Sequence, residues 1–262
     1  MKTALVSLDQ IWEDKAANFE KCNEILVSAS ISGAELVIFP EMTLTGFTMN
    51  IEASAEDKAE SSTLAKFCNL CRELKIACVI GVVFKEENNY ASNNAVFINS
   101  KGQILADYRK IHPFSAAGEN EFFLAGKNLS RVEFKNLTIG LTICYDLRFP
   151  ELYSALGSTC NLIINIANWP EKRIDHWITL LKARAIENQI FIVGVNRVGV
   201  DGNKISYSES SFLISPIGEI SRSDFSNAYF SLYNINPDIV TQQRRIFSTT
   251  NDRIPEFYKS IL

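Results

Sequence analysis

Three polar residues stand where short apolar runs stop. Glu41 follows Leu36-Val-Ile-Phe-Pro40, Lys110 follows Leu105-Ala-Asp-Tyr-Arg109, and Cys144 follows Leu141-Thr-Ile143. Runs of this length read as strands, and the one before Cys144, apolar and β-branched, as a buried strand. Ligands of α/β sheets bind outside the carboxyl ends of strands, so a carboxylate, an ammonium and a thiol are predicted to converge on one crevice. The thiolate is the nucleophilic form of cysteine, and a neighbouring carboxylate can take the thiol proton. Burial moves a carboxylate toward the range where it works as a general base. The lysine ammonium favours the thiolate and, with the Tyr145 N–H, can hold the oxyanion of a tetrahedral intermediate. Taken singly, each residue has a plainer reading: a helix-start carboxylate, a solvated lysine, a core thiol. Their joint placement argues for catalysis.

The elements that must position them alternate between strand and helix. A strand over about 3–8 precedes an amphipathic helix over about 14–31, a strand over 35–39 and a helix over about 61–74. A strand over 77–84 leads to a hairpin of 94–98 with 104–108, turned by Asn99-Ser-Lys-Gly102. Past the Cys144 strand (137–143) come a short helix from Pro150, a strand over 162–166, a helix over about 172–188 and a strand over 191–195. The last third reads as antiparallel, with 210–214 and 219–221 flanking a Pro-Ile-Gly turn and 229–233 following. The polar tail from about 238 carries scattered aromatics and is expected to be an arm packed on a neighbouring surface. With no linker, low-complexity tract or repeat, one layered α/β domain with mixed sheets is expected over 1–262.

Composition narrows the function. The 262 residues are 47% hydrophobic and 21% charged, enough for a sizeable core. A net charge of −4 with no basic block argues against a nucleic-acid partner. Apolar stretches of strand length argue against a membrane. The N-terminus reads as a first strand and not a signal peptide. With that, six sparse cysteines point to reduced thiols and a cytoplasmic protein.

Cys68 and Cys71 have C-x2-C spacing but share a helical face with Leu64, Phe67 and Leu74, which favours core packing over metal binding. No Gly-rich phosphate loop or metal-ligand cluster stands out, so no cofactor and no metal is expected. His112 and His176 are the two histidines. A Cys144–His176 pair is the rival catalytic design, although His176 lies beside Trp177 in a helix, where packing is the commoner role.

The blocks Phe39-Pro-Glu41-Met-Thr-Leu-Thr-Gly46-Phe47, Tyr108-Arg-Lys110-Ile-His-Pro-Phe114 and Ile143-Cys144-Tyr-Asp-Leu-Arg148-Phe-Pro-Glu151 resemble the signatures of the nitrilase (carbon–nitrogen hydrolase) superfamily. Asn168-Trp169-Pro170, Lys182-Ala-Arg-Ala-Ile-Glu187-Asn188-Gln189 and Asn196-Arg-Val-Gly199 extend the likeness over nearly the whole chain. The resemblance implies a four-layer αββα sandwich with two mixed sheets, a Glu41–Lys110–Cys144 triad, no cofactor, and association into homodimers or larger assemblies. It also implies a second glutamate near the nucleophile. Spacing back from Gly126 favours Glu121, with Glu119 as the alternative.

Within the superfamily the chain is most similar to omega-amidases of the bacterial YafV type. This implies hydrolysis of the terminal amide of 2-oxoglutaramate or 2-oxosuccinamate through a cysteine thioester. A nitrilase, a carbamoylase, an aliphatic amidase or a non-catalytic binding protein of the same fold are the alternatives. Such a small-molecule amide carries a carboxylate remote from the reacting group, and Arg173, at the predicted start of a helix, is the expected contact. Asn168, Tyr145, Phe47, Trp169 and Tyr207 are the other expected substrate contacts. Arg148 is close to the nucleophile in sequence, but Asp146-x-Arg148 is as well explained by a structural ion pair that shapes the turn, and Arg184 with Glu187 is read as an ion pair.

Overall fold

The strands run on both faces against other layers, which is why their sequences are near-continuous apolar runs. The computed structural model describes residues 1–261. Its strands are β1 (Lys2–Val6), β2 (Leu36–Ile38), β3 (Ala77–Lys85), β4 (Ala91–Ile98), β5 (Ile104–Arg109), β6 (Arg131–Phe134) and β7 (Leu137–Ile143). They continue with β8 (Leu162–Ala167), β9 (Phe191–Asn196), β10 (Gly199–Val200), β11 (Ser206–Tyr207), β12 (Phe212–Ile214), β13 (Phe225–Ser226) and β14 (Phe230–Asn234). The helices are α1 (Lys15–Ile31), α2 (Ile51–Ser54), α3 (Ser62–Leu74), α4 (Glu119–Phe122), α5 (Pro150–Gly157), α6 (Ile174–Asn188), α7 (Asp238–Ile246) and α8 (Pro255–Ile261).

Two mixed sheets result. The seven-stranded sheet has the order β13-β14-β1-β2-β3-β4-β5, and the five-stranded sheet has the order β12-β9-β8-β7-β6. β1, β2 and β3 are parallel, as are β7, β8 and β9, while the flanking strands are antiparallel. One core lies between the sheets and continues under α5 and α6, joining Leu36, Phe97 and Tyr108 to Leu141, Ile143, Leu156 and Trp177. A second core seals α1 and α3 onto the outer face of the larger sheet through Cys22, Leu26, Phe67 and Cys71. The layers are therefore αββα. Cys71 and Cys78 meet inside that second core, their sulfurs 3.3 Å apart.

Local signals explain the boundaries. Asp14 caps α1 through Ala17 N–H, and Ser61 caps α3 through Leu64 N–H. α3 ends on Lys75 in the left-handed conformation. Two expectations need correction. The helix expected from about 172 begins at Ile174, because Glu171–Arg173 forms a separate 3-10 turn. Residues 219–221 form no strand: a single Ile214–Ile220 bridge, with Ser215 N–H on Glu219 O and Ser221 N–H on Leu213 O, joins them to the edge of β12 that faces away from β9. The arm from Asp238 folds back on its own chain. Arg244 donates to Gly157 O and Asn188 O, and Arg253 donates to Ser154 Oγ and Asn188 Oδ1, pinning the arm to the ends of α5 and α6.

The carboxyl ends of β2, β5, β7 and β8 share one end of the sandwich, with the start of the antiparallel β4 among them. The turn after β2 is pressed onto β3: Gly81 N–H donates to Thr43 Oγ1 at 2.8 Å and Gly81 O accepts from Thr43 N–H at 3.0 Å. A Cβ at Gly81 would lie 2.2 Å from Met42 N and 2.9 Å from Glu41 Cα. Gly81→Ala is thus expected to cost about 1–3 kcal/mol through overpacking and to displace Glu41. Thermal unfolding and an amide-hydrolysis assay check this. Wild-type values in both would show that the turn does not depend on the close approach.

Candidate active site

Cys144 begins a 3-10 turn, Cys144–Arg148, directly after β7. Its φ of +46° is left-handed, a conformation that costs energy for any residue but glycine and that aims the side chain out of the strand line. Met42, next to Glu41, also has a φ of +46°. Both reactive side chains therefore sit on tight, strained turns at strand ends.

Glu41, Lys110 and Glu119 form a buried cluster. Lys110 Nζ donates to Glu41 Oε1 at 2.9 Å and to Glu119 Oε2 at 2.8 Å. Asn93, from the start of β4, donates through Nδ2 to Glu41 Oε1 at 2.8 Å and Glu119 Oε1 at 3.0 Å. Glu41 Oε2 accepts from Asn168 N–H at 3.0 Å, which ties the cluster to the end of β8 in the other sheet. Gln10 holds the Glu41 turn from behind, its Nε2 reaching Glu41 O, Met42 O and Thr43 O.

Burial would favour neutral lysine, but Glu119 and Glu41 outweigh it and hold Lys110 as an ammonium well above the usual range. Cys144 goes the other way. Burial, then the charges of Glu41 and Glu119, push its thiol well above the ordinary value, and Lys110 only partly opposes them. Lys110 does favour the thiolate, as expected, but burial first and then the two carboxylates outweigh it, so the resting sulfur keeps its proton. A base must remove that proton as the sulfur attacks, and Glu41 is placed for it. As second residue of its turn, Tyr145 has an N–H that the turn leaves unpaired, available to an oxyanion.

Cys144, Tyr145, Phe47, Asn168, Trp169 and Tyr207 all line one cavity of about 460 Å³, and Arg173 lines its wall. The volume suits a small molecule. Tyr207 is anchored by its hydroxyl on Asp201 Oδ2 at 2.9 Å, and Trp169 by N–H donation to Asn196 Oδ1 at 2.7 Å. Lys110 Nζ lies 5.2 Å from the Phe47 ring centroid.

Two expectations are overturned, and the rival Cys144–His176 pair does not form. Glu121 is exposed, whereas Glu119 is fully buried on Lys110. The four-residue α4 starts at Glu119, and its two carboxylates, two positions apart, point in different directions. Asp146 does not pair with Arg148. It accepts from Tyr108 OH, Ile143 N–H, and the backbone N–H of His112, with the His112 ring at 2.8 Å, and so joins the lysine block to the nucleophile turn. His176 contacts Arg148 on the exposed side, with Nδ1 at 3.2 Å from Nη2, and makes no contact with Cys144. Arg184 does pair with Glu187, at 3.2 Å, and also donates to Leu147 O at the end of the nucleophile turn. Sequence reasoning missed Asn93, Gln10 and Glu13. The polar Ser92-Asn-Asn94 at the head of an apolar strand was the available signal for Asn93.

Comparison with known proteins places this geometry. A family model described as carbon-nitrogen hydrolase matches residues 2–230. Omega-amidase YafV of Yersinia enterocolitica is 36% identical over 220 residues, covering 84% of this chain and 83% of its own. The 2-oxoglutaramate amidase of Paenarthrobacter nicotinovorans is 33% identical over 258 residues, covering 93% and 85%. Among solved structures, XC1258 of Xanthomonas campestris, a CN-hydrolase superfamily protein with an arsenic adduct in its active site, superposes with a TM-score of 0.89. It is 30% identical, with 97% of each chain covered.

A carboxylate series tests the site. Glu41→Gln removes the base and one of the charges that raise the thiol. It is expected to make Cys144 easier to ionise, seen as thiolate ultraviolet absorbance at lower pH, while turnover falls about 10²–10⁴-fold. Glu119→Gln should also cost activity heavily, and Glu121→Gln should leave it near wild type. Equal effects at 119 and 121 would refute the assignment.

Proposed function

The chain belongs to the carbon–nitrogen hydrolase family, and from that premise we propose that it is an omega-amidase. Its substrates are dicarboxylate monoamides of the 2-oxoglutaramate and 2-oxosuccinamate type, hydrolysed to the dicarboxylate and ammonia. The observation that carries the reading is the buried Glu41–Lys110–Glu119 cluster, whose charges act on Cys144, next to a cavity that Cys144 lines with a guanidinium on its wall. The amidase names of the relatives support the substrate class.

In the first half-reaction Glu41 takes the thiol proton as Sγ attacks the amide carbon. The carbonyl electron pair moves to oxygen, which Lys110 and the Tyr145 N–H stabilise. The proton passes to nitrogen, the C–N bond breaks, and ammonia leaves a Cys144 thioester. Glu41 then deprotonates a water that attacks the thioester, and collapse expels the sulfur, which recovers its proton. Glu119 fixes Lys110 and faces the reacting nitrogen's side of the cluster. Arg173 meets the remote carboxylate, and Phe47, Tyr145, Asn168, Trp169 and Tyr207 wall the chain of the substrate.

Residues 1–262 act as one domain in this proposal, in the cytoplasm, as a homodimer or larger homo-oligomer. No helix among the described residues is long and apolar enough to cross a membrane. Supporting self-association, the arm leaves Phe247 62% and Phe257 55% exposed, large apolar side chains of the kind that interfaces cover. Light scattering should give a mass at least twice 29.4 kDa; a monomer at micromolar concentration would rule the assembly out.

Ammonia release tests the activity. 2-Oxoglutaramate should be turned over faster than simple amides, nitriles or N-carbamoyl compounds, and Cys144→Ala should abolish turnover. A faster nitrile or carbamoyl substrate would overturn the substrate class, and turnover by Cys144→Ala would overturn the mechanism.

A further inference from the structure

One carboxylate on the cavity wall has no counter-charge. Glu13 is half-buried and lines the cavity that Cys144 also lines. Among the described residues no lysine, arginine or histidine forms an ion pair with it. Each of its oxygens accepts from one neutral donor: Oε1 from Thr48 Oγ1 at 2.5 Å, and Oε2 from Asn50 Nδ2 at 3.0 Å. An ionised carboxylate can accept about four hydrogen bonds, so roughly half of that capacity is left over. Asp201, which also lines the cavity, is more fully occupied. It accepts from Tyr207 OH and from the N–H groups of Asn203 and Ile205.

The segment that follows the Glu41 turn holds Glu13 in place. Beside the side-chain contacts with Thr48 and Asn50, the Glu13 N–H donates to Thr45 O at 2.9 Å. Its φ of +56° is left-handed, which is unfavourable for a residue with a side chain. Strain of this kind persists where the surroundings over-determine the conformation, and it gathers at functional sites. Thr48 directly follows Phe47, whose ring centroid lies 5.2 Å from Lys110 Nζ. One short segment therefore joins the Glu13 carboxylate to the reacting end of the cavity.

The wall thus presents a fixed acceptor as well as the guanidinium of Arg173. A keto oxygen only accepts hydrogen bonds, so it gains nothing from an ionised carboxylate. An ammonium donates three and carries the opposite charge, and charge-assisted hydrogen bonds are the stronger kind. A substrate with an ammonium next to its remote carboxylate matches both charges on the wall. We infer that Glu13 is a specificity-determining residue that receives such an ammonium, so that the site also takes ω-amides of 2-amino dicarboxylic acids, the L-glutamine and L-asparagine class. This rests on the omega-amidase reading and extends it. Amide and water give the amino dicarboxylate and ammonia through the same two half-reactions, and only the group on the second carbon differs.

Ammonia release tests this through kcat/KM for L-glutamine and for glutaramate, which has the same length and carboxylate but no group on the second carbon. In wild type, L-glutamine should be the better substrate of the two. Loss of a charge-assisted contact in Glu13→Gln should lower the L-glutamine-to-glutaramate ratio about 10–100-fold, mainly through KM. Glu13→Met should lower it by a similar factor, and the wild-type ratio decides the matter should neither variant fold. A wild type that prefers glutaramate would overturn the inference. Equal losses on both amides in Glu13→Gln would mean that Glu13 serves to order the segment from Thr48 to Asn50, and would overturn it too. Either result, with 2-oxoglutaramate turned over, leaves the omega-amidase reading standing. A wild type that releases ammonia from neither glutaramate nor 2-oxoglutaramate would overturn the reading itself.

Discussion

An ammonium buried between two carboxylates is the constraint on which the site depends. Lys110 is 1% exposed and Glu41 and Glu119 are 0% exposed, so none of the three charges has water to fall back on. Such a group is tolerable only when the remaining lone pairs and protons are satisfied. Here the donors come from several elements at this end of the sandwich: Asn93 from β4, Asn168 N–H after β8, Phe114 N–H ahead of α4. Removing one partner leaves a buried charge uncompensated, which costs more than the pair contributes. The cluster thereby fixes the ends of strands from both sheets against one another. Its catalytic geometry and its structural role are the same set of contacts.

The same charges decide the state of the sulfur. With two carboxylates and one ammonium beside it, a thiolate would add a second unbalanced negative charge next to a buried cluster. The neutral thiol is the stable resting form, and ionisation is deferred to the moment when the carbonyl carbon arrives to share the charge. Lys110 then has a second use beside favouring the thiolate. It meets negative charge as it develops on the carbonyl oxygen, where a fixed ammonium is most effective.

Around this cluster lie supports that a list of three residues does not contain. Asp146 binds the lysine block to the nucleophile turn through four contacts. Arg184 closes that turn at Leu147 O, and Gln10 gathers three carbonyls of the Glu41 turn. Such groups hold reactive atoms within the narrow tolerances that catalysis needs.

Strand ends and the identities of Glu41, Lys110 and Cys144 were legible in the sequence. Hydrophobic period, capping residues and Pro or Gly breaks act over a few neighbouring residues, and so they survive in a linear reading. The αββα layering also followed, by resemblance. What only the tertiary structure decided depends on approach between distant segments. Glu119 and not Glu121 faces Lys110, because the orientation of one short helix selects between carboxylates two residues apart. Asp146 pairs with the lysine block and frees Arg148, because Tyr108 and His112 reach it across 38 and 34 residues of chain. The protonation of Cys144 is likewise a sum over charges brought together by folding. Sequence names the groups that can ionise, but burial and distance set which of them do.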